Sequence, residues 1–357
     1  MPKINSSFTS RIRNPGASLL LDYLARRFDY HSRDQWSALI GLGRLELEGR
    51  PARAEDPLRE GQTLRFAVVD YEEPEVPVDF AFLNADSRPG ESRGNGLGEN
   101  GLPLGDLAFL HKPAGLPIHR TGKIFFQTLA NLVRERLGDM AWAPLNRLDR
   151  ETSGIVAFAR GADAFRALAP ASPDAVWTKL YAAVVRGTPP GAGTGIFRQP
   201  LGELPGDIIR CRMHGHPGGK SAVTLYQTLE TRNGVSLVIL SPITGRKHQL
   251  RVHLAEAGFP IVGDKIYSGE GKAYLAQLDR ELGDEDFAIL GARRHLLHAF
   301  YLRIESKGGE FQEAWDWNSG PEFHATFALD IIKAWKDSEG SRRFIAQAIE
   351  ARKSSGS

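Results

Sequence analysis

Asp149 stands between Arg147 and Arg150 in the run NRLDRETSG (146–154), which leads straight into the apolar stretch GIVAFAR (154–160). A carboxylate at the mouth of a buried strand, with guanidinium groups close by, can be kept ionised to serve as nucleophile, base or stabiliser of positive charge, because a nearby cation lowers its pKa. The same residues would also make a turn whose aspartate caps backbone groups and pairs with an arginine. A second polar run, TGRKHQLRVHLAEAGFPIVGD (244–264), crowds Arg246, His248, Gln249, Arg251 and His253 into about two turns of an expected helix over 244–257, with Thr244 as cap and Gly258 as stop. Such a donor set suits ionising and aiming a carboxylate, or gripping phosphates. His248 and His253 are five apart and so face different ways, whereas a helical zinc pair needs a spacing of four, and metal binding is not expected. Two weaker signals complete the set. In KLY (179–181), strand alternation puts Lys179 and Tyr181 on one side, though a buried tyrosine is as readily core. In HKPAGLPIHRTG (111–122), Lys112, His119 and Arg120 supply positive charge on a loop stiffened by proline.

Positioning these groups requires an alternation of strands and helices from residue 107 onward. LAFLHK (107–112), GIVAFAR, KLYAAVVRG (179–187), AVTLYQTLE (222–230), VSLVILSPI (235–243) and the region 295–304 read as strands. FFQTLANLVRERLG (125–138) reads as a helix closed by Gly138, and a last helix is expected near 341–353. Many strands with few crossover helices predict an α+β fold on a mixed, mostly antiparallel sheet. Ahead of it, Leu20, Leu24 and Phe28 recur one turn apart, Ser32 and Gln35 form a capping box before a helix through Trp36, and RLELEG and TLRFAVV alternate as strands. The expected organisation is a small module at 17–70, a linker at 71–106, a main domain at 107–330 and a helix with polar tail at 331–357. The linker holds GLGENG, formally a G-x-G-x-x-G match, but its flanks SRGN and LPLG are neither strand nor helix, so it reads as a loop.

Composition narrows the classes. Of 357 residues 41% are hydrophobic and 25% charged, as in an ordinary soluble protein, and a single cysteine, Cys211, excludes a disulfide framework or a cysteine-rich zinc site. No apolar run approaches a membrane span, and a cytoplasmic location is expected. Net charge is only +2, but residues 1–69 carry 11 Lys/Arg against 8 Asp/Glu and residues 70–106 carry 2 against 9. Two mildly basic regions around an acidic link suit a nucleic-acid binder.

The ordered set K-P-A-G-L-P, R-L-D-R-x-T-S-G, K-x-Y and T-G-R-x-H-Q-x-R-V-H…G-D resembles the RluA-type pseudouridine synthases, over roughly residues 107–305. The helix-helix-strand-strand module resembles an S4 RNA-binding domain. The resemblance implies an α+β core with an RNA cleft, no cofactor, no metal, and isomerisation of a flipped-out uridine. It assigns Asp149 as the catalytic aspartate, Arg246 as the guanidinium that keeps it ionised, Tyr181 as the ring that stacks on the flipped base and helps remove the C5 proton, and Arg147 as the side chain filling the vacated space. Lys112, His119, Lys179, His248, Gln249 and Arg251 are candidates for substrate contacts, and Arg26, Arg27, Arg33, Arg44, Arg50 and Arg53 for RNA contacts of the N-terminal module. Two departures stand out: Asn146 replaces the usual histidine, and Glu151 the usual aspartate. The expected partner is structured RNA, ribosomal ahead of transfer, bound by a monomer. Three other classes fit less well. A glycoside or nucleoside hydrolase generally needs a second acid. A non-catalytic S4-type RNA-binding protein has no use for an intact R-L-D-R-x-T-S-G. A cysteine-based RNA methyltransferase would need Cys211 near a cofactor loop.

Overall fold

The strands anticipated from 107 onward pair into one large sheet in the computed structural model, which describes residues 4–16, 18–28, 31–83, 86–87, 105–122, 124–190, 194–306, 311–327 and 329–355. Chain contacts divide it into two units: Met1–Val76 with His119–Thr128, and Pro77–Ile118 with Leu129–Ser357.

In the first unit the helices Leu20–Arg27 and Arg33–Gly41 lie where apolar spacing places them. The capping box forms in both directions, Gln35 N–H donating to Ser32 Oγ (3.2 Å) and Ser32 N–H to Gln35 Oε1 (3.0 Å). Leu20, Leu24, Trp36, Leu45, Leu47 and Leu64 make the core. The sheet has four strands, because Ile4–Arg11 adds antiparallel to Thr63–Tyr71, which also pairs with Leu45–Leu47. The added strand, INSSFTSR, has no apolar alternation to betray it. The segment 119–128 also belongs to this unit. The buried Glu73 carboxylate accepts the N–H groups of Phe125, Phe126 (2.9 Å) and Gln127 (3.3 Å), and Phe125 stacks on Phe8 with centroids 4.6 Å apart. The helix expected over 125–138 is accordingly shorter, Leu129–Leu137.

The second unit is built on a sheet whose strands run, in spatial order, Thr194–Phe197, Thr224–Arg232, Val235–Pro242, Ala175–Arg186, Leu297–Ser306, Ser153–Arg160, Leu107–Lys112 and Ala81–Leu83. Along this path only Leu297–Ser306 with Ser153–Arg160 is parallel, so the fold is α+β with a mostly antiparallel centre. Leu107, Phe109, Ile155, Ala157, Trp177, Leu302 and Ile304 pack into a common core beside it. Two expected boundaries move. The segment read as linker supplies strand Ala81–Leu83 to the sheet edge, and Asp86–Ser87 pairs with Phe311–Trp315; GLGENG lies outside the described residues. The helix expected near 341–353 lies within Glu339–Ser355, and a further helix, Leu329–Lys336, precedes it; together they bury Trp335, Phe344 and Ala348, and Trp335 Nε1 donates to Gln227 Oε1 (3.0 Å). Among the described residues no helix is long and apolar enough to cross a membrane.

Candidate active site

Asp149 lies on the turn between the strands Trp142–Pro144 and Ser153–Arg160, and that turn is tied down from three directions. Lys112, fully buried, donates to the carbonyls of Pro113 (2.8 Å), Leu116 (2.9 Å) and Arg150 (3.0 Å), while Gly115 N–H also donates to Arg150 O (2.8 Å). Burial drops the Lys112 ammonium to about 7. Its role is to staple the K-P-A-G-L loop to the aspartate turn, which corrects its reading as a substrate contact. Asn146 is buried as well, accepting from Ala157 N–H (2.8 Å) and donating to Ile155 O (3.3 Å). An amide does here what one neutral imidazole does less well, since it offers a donor and an acceptor side by side to one strand. Gly154 is obligatory. Its φ is +120°, and a Cβ there would sit 2.2 Å from Ala299 O across the parallel pairing.

The helix of the second polar run begins five residues later than read, at Gln249–Glu256, because His248 takes a left-handed conformation (φ +55°). Thr244 does not cap it, and its hydroxyl donates instead to Gln249 Oε1 (2.7 Å). This shift decides which arginine meets the aspartate. Arg251 Nη1 donates to Asp149 Oδ2 (2.8 Å), whereas the exposed Arg246 lies on the turn and donates through Nε to Ser221 O (2.9 Å). The assignment of Arg246 as the ionising partner is therefore corrected to Arg251. The remainder of the Arg251 fork is held by Asp264, Nε to Oδ2 (2.7 Å) and Nη2 to Oδ1 (2.9 Å), and Asp264 Oδ1 also accepts from Ile266 and Tyr267 N–H (both 3.0 Å). Asp264 is wholly buried and Asp149 keeps 30% of its side chain exposed, so one guanidinium bridges a sealed carboxylate and an open one.

Burial is the largest single influence on the Asp149 carboxyl and would raise it, but the charge and hydrogen bond of Arg251 together with the neighbouring His248 and His295 outweigh it and hold the group at about 2. His248 and His295 are driven down to about 4, each by burial first and by Arg251 next, so near neutrality both rings are uncharged. Tyr181, buried on strand Ala175–Arg186, has its hydroxyl pushed well above the ordinary phenol range by burial and by the Asp149 charge. It stays a phenol. Lys179, two residues back on the same strand, is half-buried, its Nζ 5.0 Å from the Trp177 ring, and burial with Arg352 lowers it to about 8. Arg147 is exposed on the aspartate turn.

Other candidates fall elsewhere. Gln249 is buried and spent on local bonds, accepting from Arg246 N–H (3.0 Å) and donating to Val223 O (2.9 Å) and Thr224 Oγ1 (3.0 Å), which makes it scaffolding and not a substrate contact. His119 belongs to the N-terminal unit. Within that unit Arg33 pairs with Asp22 (2.8 Å), Arg50 forks onto Asp56 (2.9 and 3.0 Å) and Arg26 donates to Pro15 O (3.1 Å), so three of the six arginines are engaged in holding the module together. Reading the sequence missed Asp264, Lys265, Tyr267 and His295. Lys265 Nζ donates to Glu151 Oε1 (2.7 Å), and Thr152 Oγ1 bonds His295 Nε2 (2.7 Å), which secures the turn from behind. The G-D ending the second run was the available signal for Asp264, since an acid there can answer an arginine earlier in the same run.

The family model described as RNA pseudouridylate synthase matches residues 106–256. An uncharacterised RNA pseudouridine synthase of Chloroflexus aurantiacus is 31% identical over 298 residues, 82% of this chain and 83% of that one. The ribosomal large subunit pseudouridine synthase D of Xanthomonas campestris is 32% identical over 286 residues, 79% of each chain. Human RNA pseudouridylate synthase domain containing 1 shares the fold, with a TM-score of 0.51 at 24% identity over 75% of this chain and 98% of that chain. With an ionised aspartate in R-L-D-R-x-T-S-G on a mostly antiparallel sheet, and relatives matched over most of their length, the chain belongs to the RNA pseudouridine synthase family and is an enzyme of that kind.

Proposed function

We propose that the protein isomerises uridine in structured ribosomal RNA, with Asp149 acting at C1′ of a flipped-out nucleotide. The observation that carries this reading is the bridge Asp149–Arg251–Asp264, which ionises one open carboxylate and fixes its direction. The C1′–N1 bond breaks as positive charge develops at C1′, where Asp149 stabilises or captures it. The bonding pair leaves on N1, the uracil turns, C5 bonds to C1′, the C5 proton departs and N1 takes up a proton, so the product is an isomer of the starting uridine. Tyr181, held as a phenol, cannot take that proton unless it passes its own to the Asp149 carboxylate, so its part is to stack on the base and relay. Arg147, exposed on the same turn, is the side chain offered to the RNA, and Lys179 lies on the same strand as Tyr181. No cofactor or metal enters this scheme, and a monomer in the cytoplasm suffices for it.

The N-terminal module acts as an S4-type RNA-binding domain, with Arg27, Arg44 and Arg53 as its phosphate contacts. Ribosomal RNA is favoured over transfer RNA because two relatives named for the ribosomal large subunit are matched over 79% and 88% of their length, whereas a yeast mitochondrial synthase named for transfer RNA is matched over 50% of its own. The test is to map pseudouridines in total RNA from cells with and without the gene, and with Asp149→Ala. Sites lost in ribosomal RNA and not restored by Asp149→Ala support the reading. Sites lost only in transfer RNA move the substrate, and an unchanged map rejects it.

A further inference from the structure

His248 is a residue the synthase chemistry sketched above does not use, yet its ring stands beside Asp149. Its Nδ1 lies 2.9 Å from the Tyr267 hydroxyl, and that same oxygen accepts the Met213 N–H (2.9 Å). A phenol has one proton. With Met213 donating to its oxygen, that proton is directed at His248 Nδ1, which makes Nδ1 the acceptor and leaves the ring hydrogen on Nε2. Nε2 is 4.0 Å from Asp149 Oδ2, too far for a direct hydrogen bond. An oxygen about 2.8 Å from each would subtend roughly a right angle between them, an undistorted bridge. Such an atom must accept from Nε2–H and donate to the carboxylate.

Near C1′ of a nucleotide within an RNA chain only one group does both. The uracil carbonyls accept but cannot donate, N3–H donates but cannot accept, and the 3′ oxygen is esterified. We propose that His248 and Asp149 together bind the ribose 2′-hydroxyl of the target nucleotide, so that His248 makes the site specific for ribose over deoxyribose. The inference rests on the reading of Asp149 as the group acting at C1′. The left-handed backbone at His248 fits this role, because it turns the ring back from the helix start toward the aspartate turn.

The test is a titration of the full chain with uridine 5′-monophosphate and 2′-deoxyuridine 5′-monophosphate, followed by NMR. The wild-type protein should prefer the ribonucleotide by about tenfold, the worth of one hydrogen bond to a charged group. His248→Asn keeps a residue tolerant of the left-handed conformation but cannot reach, and should collapse the preference to near unity. His248→Gln, whose amide nitrogen reaches the same place, should restore most of it. Tyr267→Phe frees the tautomer while keeping the ring beside Arg251, and should weaken the preference without unfolding the site. An equal preference in wild type and His248→Asn overturns the proposal, as does a wild-type protein that binds neither nucleotide or both alike. Failure of the synthase reading would appear separately, as wild-type protein releasing no tritium from C5-labelled uridine in cellular RNA.

Discussion

Exchanging the two arginines of the second polar run tests the electrostatics of the site. Arg251→Met removes the only cation in hydrogen-bond contact with Asp149 among the described residues and strands Asp264 in a sealed position. Holding Asp149 near 2 against an ordinary value of about 4 represents roughly 2.5 kcal/mol of net stabilisation of the ionised form, with burial already working against it. Without Arg251 burial is opposed only by His248 and His295, which lose their charge above about pH 4, so the carboxyl should rise above its ordinary value. The sign follows directly. In the wild-type protein the group favours folding above about pH 4 and loses that contribution as pH falls toward 2, whereas the variant should show an acid limb in kcat above pH 4. At neutral pH the aspartate is still charged but no longer aimed, and a misplacement of about 1 Å costs on the order of a hundredfold in rate. Truncating one partner of a buried charge set also costs about 3–5 kcal/mol of stability. Arg246→Met, by contrast, removes one exposed side chain bonded to a carbonyl, and should change kcat less than about threefold. The assay is single-turnover tritium release from C5-labelled RNA between pH 5 and 8, with melting temperatures in parallel. A fast Arg251→Met and a slow Arg246→Met would refute the argument.

Three further outcomes are expected. Tyr181→Phe should keep RNA affinity and lose about a hundredfold in tritium release, the smaller end of a proton-relay contribution; wild-type release would reduce Tyr181 to packing. Gly154→Ala should fail to fold or melt many degrees lower, because the added Cβ meets the Ala299 carbonyl at 2.2 Å, and an unperturbed melt would contradict the parallel pairing. Replacing Arg27, Arg44 and Arg53 together by Ala should flatten the salt dependence of RNA binding by about three in log–log slope, as each lost phosphate contact removes about one. An unchanged slope would remove RNA contact from the module.

The aspartate was legible in the sequence because its turn is a local motif, with Gly154 and the strand beyond it fixing where it must lie. Its partner was not. Choosing between Arg246 and Arg251 depended on where the helix starts, and the left-handed turn at His248 moved that start to Gln249. Lys112 and Gln249 were read as substrate contacts because they are polar in polar runs, yet both are buried and spent on backbone carbonyls or neighbouring side chains. Donor type is written in the sequence, but the acceptor is chosen by the fold. Strands such as Ile4–Arg11 and Ala81–Leu83 escaped notice for a related reason. They take their structure from the sheet edge they complete and carry little apolar period of their own.

The Glu73 carboxylate gathering the amides of residues 125–127 has a practical consequence for protein engineering. The N-terminal unit is discontinuous in the gene, so it cannot be transplanted or excised as a single cassette. A chimera that swaps residues 1–76 alone would leave a foreign ten-residue stretch, 119–128, facing a carboxylate and a phenylalanine it did not evolve with. A graft that carries both stretches should retain its stability, and one that carries only the first should show the mismatch as a second, lower melting transition.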